Sequence, residues 1–283
     1  MSSTEIKNFG IIGYPIVHSF SPRMYMAAFK DAGLDYYSYI SFPIQPGRLM
    51  LAVEGMKGLR FRGFNVTIPH KTAIIPYLDA VDADAMIIGA VNTVVNDGGM
   101  LTGYNTDVYG FLSALFENGF VADGCNAVIL GAGGAARAVL WGLCKRRANS
   151  ITIGARNYER AKKLADDFSI YGNVIATDWT TAEFRDAMQR TDILINTTPL
   201  GMFPNPDDMP PVDLKLLPDG ALVHDLVYNP IQTKLLKAAA ELGHPTLPGL
   251  PMLLLQGKEA YRLFTGTLPN LEVMRKIVTD DEV

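Results

Sequence analysis

Gly131, Gly133 and Ala136 stand in the spacing G-x-G-x-x-A, and the chemistry that this spacing serves is phosphate binding. A glycine at 131 permits a tight turn. One at 133 lets backbone approach a pyrophosphate, and a small residue at 136 lets a helix pack on the preceding strand. The backbone of Gly131, Ala132, Gly133, Gly134 and Ala135 would then offer free N–H groups and a partial positive charge to a dinucleotide. The bland alternative is a structural glycine turn. An NAD site usually carries an acid at the end of the next strand; here Arg156, Asn157 and Arg160 occupy that region, and the first acid is Glu159. An arginine at this place can hold a 2′-phosphate through charge-assisted hydrogen bonds. NADP is therefore the expected cofactor and NAD the alternative; a solvated charge at a strand end is the reading without a ligand.

A second group of polar residues lies upstream. Ser19 and Ser21 sit two apart in a loop after a strand, so both hydroxyls can face one polar group, although Ser21 followed by Pro22 also reads as a helix N-cap. Asn65 and Thr67 share one face of a strand whose other face is Phe64, Val66 and Ile68. Such polar groups need partners if buried, and a ligand is one such partner. Lys71 follows them at what reads as a helix start. Asp107 opens a helix and competes for the role of cap. Gln256 is a lone amide beside an apolar run and reads equally as a surface residue.

The elements that must position these groups alternate. Apolar runs near 9–13, 36–42, 61–69, 127–130, 151–153, 192–196 and 221–227 read as strands. Between them, helical patterns cover 22–33, 48–56, 83–90, 108–117, 134–145, 160–168 and 233–242. Asn96-Asp97-Gly98-Gly99 between 91–95 and 100–104 is a hairpin signal. The alternation predicts an α/β fold built on a parallel, doubly wound sheet.

The chain has 283 residues, enough for two domains, and 48% of them are hydrophobic. A net charge of −4 without a basic run argues against nucleic acid as a partner. Cys125 and Cys144 are in neither a disulfide framework nor zinc-site spacing, so no metal is expected. No apolar run is long enough to span a bilayer, and Met1 to Asn8 lacks a signal-peptide core. The expected location is cytoplasmic.

Several blocks together resemble the shikimate dehydrogenase family. They are Gly13 to Pro22, Phe64 to Lys71, Gly89 to Thr93, Gly103 to Asp107, Gly131 to Ala136, Asn196 to Met202 and Gly249 to Gln256. They follow the family's order and cover nearly the whole chain. The resemblance implies reversible NADP-dependent oxidation of shikimate to 3-dehydroshikimate, on the way to chorismate and the aromatic amino acids. It implies Lys71 and Asp107 as the catalytic pair, and Ser19 and Ser21 as holders of the substrate carboxylate. Asn65, Thr67, Asn92, Asp107, Tyr228 and Gln256 would bind ring hydroxyls. Gly131 to Ala135, Arg156, Asn157, Arg160, Leu226 and Gly249 would surround the cofactor.

The implied fold has an α/β substrate domain at 1–107, completed by helices at 250–283, and a Rossmann-like NADP-binding domain at 108–249, with the active site in the cleft. A homodimer stays open. Two departures stand out: Tyr25-Met26 where the family often has His-Asn, and Ala155-Arg156-Asn157 in place of Asn-Arg-Thr. The first is expected to alter helix packing rather than chemistry. The second keeps a quinate/shikimate dehydrogenase using NAD as the runner-up. A non-catalytic nucleotide-binding sensor is the alternative of another class.

Overall fold

Gly98 and Gly99 have φ values of 60° and 101° in the computed structural model, which describes residues 6–17 and 19–280. His18, quoted within the first motif, and Met1 to Glu5 lie outside the described residues. Positive φ at both central positions makes a hairpin turn whose twist suits two antiparallel strands. It joins β5 (Thr93–Asp97) to β6 (Met100–Tyr104), with Asp97 opposite Met100.

The chain folds into two compact units, one made of Met1–Tyr109 with Leu254–Val283 and the other of Gly110–Leu253. The first unit holds β1 (Lys7–Gly13), α1 (Ser21–Asp31), β2 (Tyr37–Pro43), α2 (Leu49–Gly58), β3 (Gly63–Val66), β4 (Ala80–Val81), α3 (Ala83–Ile88), β5, β6 and α10 (Leu271–Thr279). The unit boundaries fall inside α4 (Asp107–Glu117) and α9 (Leu250–Thr265). Its sheet runs β2-β1-β3-β5-β6-β4. β1 is parallel to β2 and β3, whereas β3–β5 and β5–β6 are antiparallel. A parallel sheet throughout is thus corrected to a mixed one here, because a two-residue turn can only make antiparallel neighbours. Ile12, Val53, Phe64, Val66, Ile74, Val91 and Leu101 form the core on one face of this sheet, and Asn65 alternates to the other.

Two local expectations also change. Lys71 lies in a turn and not at a helix start; a 3-10 turn, Ile75–Tyr77, follows. Pro76 explains this, since its ring would clash with the carbonyl four residues back in an α-helix. Ser21 is not a cap: α1 takes it in as its first residue, no side chain caps the helix, and the Ser19 hydroxyl accepts the Ser21 N–H at 3.3 Å.

The second unit holds β7 (Asn126–Leu130), α5 (Gly134–Lys145), β8 (Ser150–Gly154), α6 (Tyr158–Phe168), β9 (Val174–Thr177), α7 (Ala182–Met188), β10 (Ile193–Asn196), β11 (Leu222–Asp225), α8 (Lys234–Glu241) and β12 (Thr246–Leu247). Its sheet is all-parallel in the order β12-β11-β10-β7-β8-β9. The chain runs outward from β7 and then returns to start again at β10, so the topological switch point lies between these two strands. No helix among the described residues is long and apolar enough to cross a membrane.

His224, in β11, is fully buried; its Nδ1 donates to the Leu247 carbonyl at 2.8 Å, and its ring lies nearly parallel to Phe111, with centroids 6.0 Å apart. Burial pushes its pKa from 6.5 down to about 4. The neutral ring therefore stabilises the fold fully above pH 6.5, and that contribution, about 3 kcal/mol, is lost as pH falls from 6.5 toward 4. Urea midpoints of wild type and His224→Phe are expected to converge across this window. A gap that stays constant with pH contradicts the assignment.

Candidate active site

Three loops of the first unit bring together the polar residues singled out in the sequence. Lys71 follows the end of β3, Asn92 precedes β5, and Asp107 opens α4. The Lys71 ammonium meets Asp107 Oδ2 at 2.5 Å, with side chains 16% and 7% exposed. Asn92 Nδ2 donates to Asp107 Oδ1 at 2.8 Å, so each carboxylate oxygen has its own donor. Asp107 is therefore not the helix cap. Asn105 does that work: its Oδ1 accepts the Asp107 N–H at 3.0 Å, which leaves the Asp107 carboxylate for Lys71 and Asn92. Such a pair places a proton donor and a fixed anion at one shielded point, the equipment of general acid–base chemistry.

Asn92 is the hub of this network. Its Nδ2 also faces Thr106 Oγ1 at 2.9 Å and Gln256 Oε1 at 3.3 Å, and its Oδ1 accepts the Thr106 N–H at 2.8 Å. Gln256 is thus a half-buried member of the cluster and not a surface residue. Asn65 spends both its N–H groups on the Asn92 carbonyl and Thr93 Oγ1, and its Oδ1 accepts from the Tyr39 hydroxyl at 2.7 Å. One lone pair remains, so Asn65 can meet a ligand only as an acceptor. The Thr67 hydroxyl is half-buried and makes no hydrogen bond among the described residues. Ser21 faces the Tyr39 phenol, whose pKa burial holds well above the usual value and the Ser21 hydroxyl draws partly back. Tyr228 follows β11 and is carried by the second unit; burial raises its hydroxyl pKa too.

Tyr39, Thr93, Asn105 and Thr106 belong to this network without having been singled out. A buried tyrosine hydroxyl needs a partner, and that requirement is the signal in the aromatic strand that points to Tyr39. Thr93, Asn105 and Thr106 carry no comparable signal until the hairpin sets them beside Asn92.

In the second unit the glycine turn lies at the C-terminal end of β7, beside the loop that follows β10. Gly131 has φ 104°, and a Cβ there would lie 2.9 Å from Thr198 Cγ2 and 3.0 Å from Thr197 Oγ1. A Cβ on Gly133 would meet nothing within 4 Å, so that glycine leaves open space where a ligand's backbone contacts belong. Helix α5 begins there with no side-chain cap and no acid in its first turn, and its leading N–H groups suit an anion. Arg156 and Arg160 are exposed, and their guanidinium groups make no hydrogen bond or ion pair among the described residues. Asn157 caps α6, its Oδ1 accepting the Arg160 N–H at 3.0 Å. These features fit a phosphorylated dinucleotide. No cluster of three or more His, Cys, Asp or Glu among the described residues suits a metal.

The neighbouring loops are braced by Asp225, which is fully buried and accepts from Thr233 Oγ1 at 2.7 Å, Asn196 Nδ2 at 2.9 Å and the Val227 N–H at 3.0 Å. Burial nonetheless lifts its carboxyl to about 6. Gly249 packs onto the same loop: a Cβ there would lie 2.3 Å from the Leu226 carbonyl oxygen, a backbone atom that cannot swing away. Gly249→Ala is expected to cost about 1–3 kcal/mol of stability in urea unfolding. An unchanged midpoint would show that the loop yields.

Three family models match the chain. They are the shikimate dehydrogenase substrate binding domain over residues 11–94, shikimate / quinate 5-dehydrogenase over 115–200, and the shikimate 5′-dehydrogenase C-terminal domain over 249–279. A shikimate dehydrogenase (NADP(+)) from Methanothermobacter thermautotrophicus is 46% identical over 265 residues, which span 94% of this chain and 93% of its own. The chain belongs to the shikimate dehydrogenase family. A crystal structure of a shikimate dehydrogenase in complex with NADP+ covers 100% of this chain and 98% of its own, with TM-score 0.90 and 43% identity. The shikimate 5-dehydrogenase of Listeria monocytogenes, in complex with shikimate and NAD, covers 96% of each chain, with TM-score 0.88 and 36% identity.

Within the shikimate dehydrogenase family the Tyr25-Met26 departure has a structural counterpart. Tyr25 is fully buried, stacks on Tyr39 with centroids 4.3 Å apart, and donates from its hydroxyl to the Gly257 carbonyl at 3.1 Å. Met26 Sδ accepts the Tyr39 N–H at 3.2 Å. Tyr25 thus packs behind the network, whereas Met26 is exposed and reaches it only through its sulfur.

Proposed function

We propose that this chain catalyses the reversible oxidation of shikimate to 3-dehydroshikimate with NADP, as a step toward the aromatic amino acids. The observation that carries the reading is the shielded Lys71–Asp107 contact, with Asn92 holding the second carboxylate oxygen. Bound NADP supplies hydride acceptance, and its reduced form hydride donation. In the direction of oxidation, Lys71 in its neutral amine form takes the proton of the reacting hydroxyl and becomes the ammonium; in reduction the ammonium returns a proton to the ketone oxygen. Asp107 fixes the amine against that oxygen. Ser19 and Ser21 hold the carboxylate of shikimate. Asn65, Thr67, Asn92, Tyr228 and Gln256 bind its ring hydroxyls, and each missing hydroxyl leaves a buried group unpaired.

The first unit, together with Tyr228 of the second, is assigned to the substrate, and the rest of the second unit to the cofactor. Gly131 to Ala135 receive the pyrophosphate, Arg156 and Arg160 the 2′-phosphate, and Asn157, Leu226 and Gly249 line the remainder. Both cysteines are free and buried, in keeping with a reducing, cytoplasmic setting. The second reading, a quinate/shikimate dehydrogenase using NAD, draws on the missing flanking residues around Arg156 and on the NAD complex of the Listeria relative. Steady-state assays of NADP and NAD, each against shikimate and quinate, separate the two. The first reading expects the highest kcat/KM for NADP with shikimate. A higher value for NAD with quinate establishes the second.

A further inference from the structure

The backbones that carry Lys71 and Asp107 are tied to one short segment. The Val91 N–H donates to the Lys71 carbonyl at 2.7 Å. The carbonyl of the preceding residue, Ala90, accepts from Asn105 Nδ2 at 2.8 Å. The same Asn105 side chain accepts the Asp107 N–H through Oδ1 at 3.0 Å. Ala90 and Val91 are wholly buried and Asn105 nearly so. One side-chain amide thus closes a path that runs Lys71, Val91, Ala90, Asn105, Asp107, through one main-chain hydrogen bond and the two that Asn105 makes to main-chain atoms. From this closure we infer that Asn105 is a positioning residue, which sets the spacing of the Lys71 amine and the Asp107 carboxylate by bonding both backbones' common anchor. The inference rests on the reading of Lys71 and Asp107 as the catalytic pair.

The geometry makes the two ends of the amide inequivalent. The oxygen end serves as a helix cap and could be replaced by any acceptor. The nitrogen end faces a carbonyl and needs a donor. Asn105→Asp keeps the acceptor for the Asp107 N–H, and so the start of α4, but sets an oxygen against the Ala90 carbonyl. Asn105→Ala removes both bonds.

The test measures kcat and KM for shikimate at saturating NADP, with thermal melting to establish folding. A small misplacement of reacting groups lowers the rate of the chemical step more than it weakens binding. Both variants are expected to lose about tenfold or more in kcat, with KM within about threefold of wild type. Should Asn105→Ala fail to fold, Asn105→Asp carries the test. Wild-type kcat in folded Asn105→Asp overturns the inference, as does a rise in KM with kcat unchanged, which would make Asn105 a binding group only. Lys71→Ala, assayed alongside, separates the two levels: if it stays active the catalytic reading itself fails, whereas an inactive Lys71→Ala beside a wild-type-like Asn105→Asp removes only the positioning role.

Discussion

Lys71→Ala is expected to lower kcat for shikimate oxidation by about 10²–10⁴-fold, with the fold intact and NADP binding unchanged. The size follows from what is removed. The Lys71 amine is 16% exposed and touches Asp107 Oδ2 at 2.5 Å, and no other lysine or arginine among the described residues pairs with that carboxylate. The proton acceptors then left for the hydroxyl are the Asp107 carboxylate, a far weaker base than an amine, and water that arrives without orientation. The substitution also leaves a buried carboxylate short of its cation, so some stability is lost as well. Melting curves and NADP titrations separate that loss from catalysis. A Lys71→Ala enzyme that turns over shikimate at the wild-type rate would remove the lysine from the mechanism.

Arg156→Ala is expected to lower kcat/KM for NADP by about 10–100-fold while changing that for NAD by no more than about threefold. Hydrogen bonds to charged groups contribute about 1.5–3 kcal/mol, and each 1.36 kcal/mol is a tenfold effect. The guanidinium is exposed and makes no hydrogen bond or ion pair among the described residues, so the protein itself loses nothing when it is cut back. Arg160 is placed similarly and would retain part of the preference. Parallel kinetics with the two cofactors check the expectation. Equal losses for both would place Arg156 at a part of the dinucleotide that NAD shares.

The nucleotide unit is the part of the molecule most legible in the sequence. A buried parallel strand, a glycine turn and a packed helix each require residues that little else requires, and they recur in order at 127–156. The edges are less legible. β4 and β12 are two residues long, too short to leave a pattern. The mixed order of the first sheet depends on the Gly98-Gly99 turn and on long-range pairing of β3 with β5, which periodicity does not encode. In the site, residue types identified Lys71 and Asn65, and the family resemblance Asn92, but not their partners. Asp107 reads as a cap because aspartate is a favoured cap. Only the hairpin, by setting Asn92 beside Thr106 and Asp107, shows that Asn105 takes the cap and frees the carboxylate. Ser21 misleads in the same way: its position before Pro22 suggests a cap, yet the hydroxyl that accepts an amide is Ser19. Short-range signals name hydrogen-bonding residues; which bond each one makes is settled by strands far apart in the chain.

The most direct measurement follows the hydrogen. Shikimate carrying deuterium on the carbon that bears the oxidised hydroxyl is mixed with the enzyme and NADP, and the products are examined by mass spectrometry. The account predicts 3-dehydroshikimate without the label and reduced NADP carrying it, from wild type but not at a comparable rate from Lys71→Ala. Deuterium that stays in unreacted shikimate, with no reduced cofactor formed by the folded wild-type protein, would contradict it.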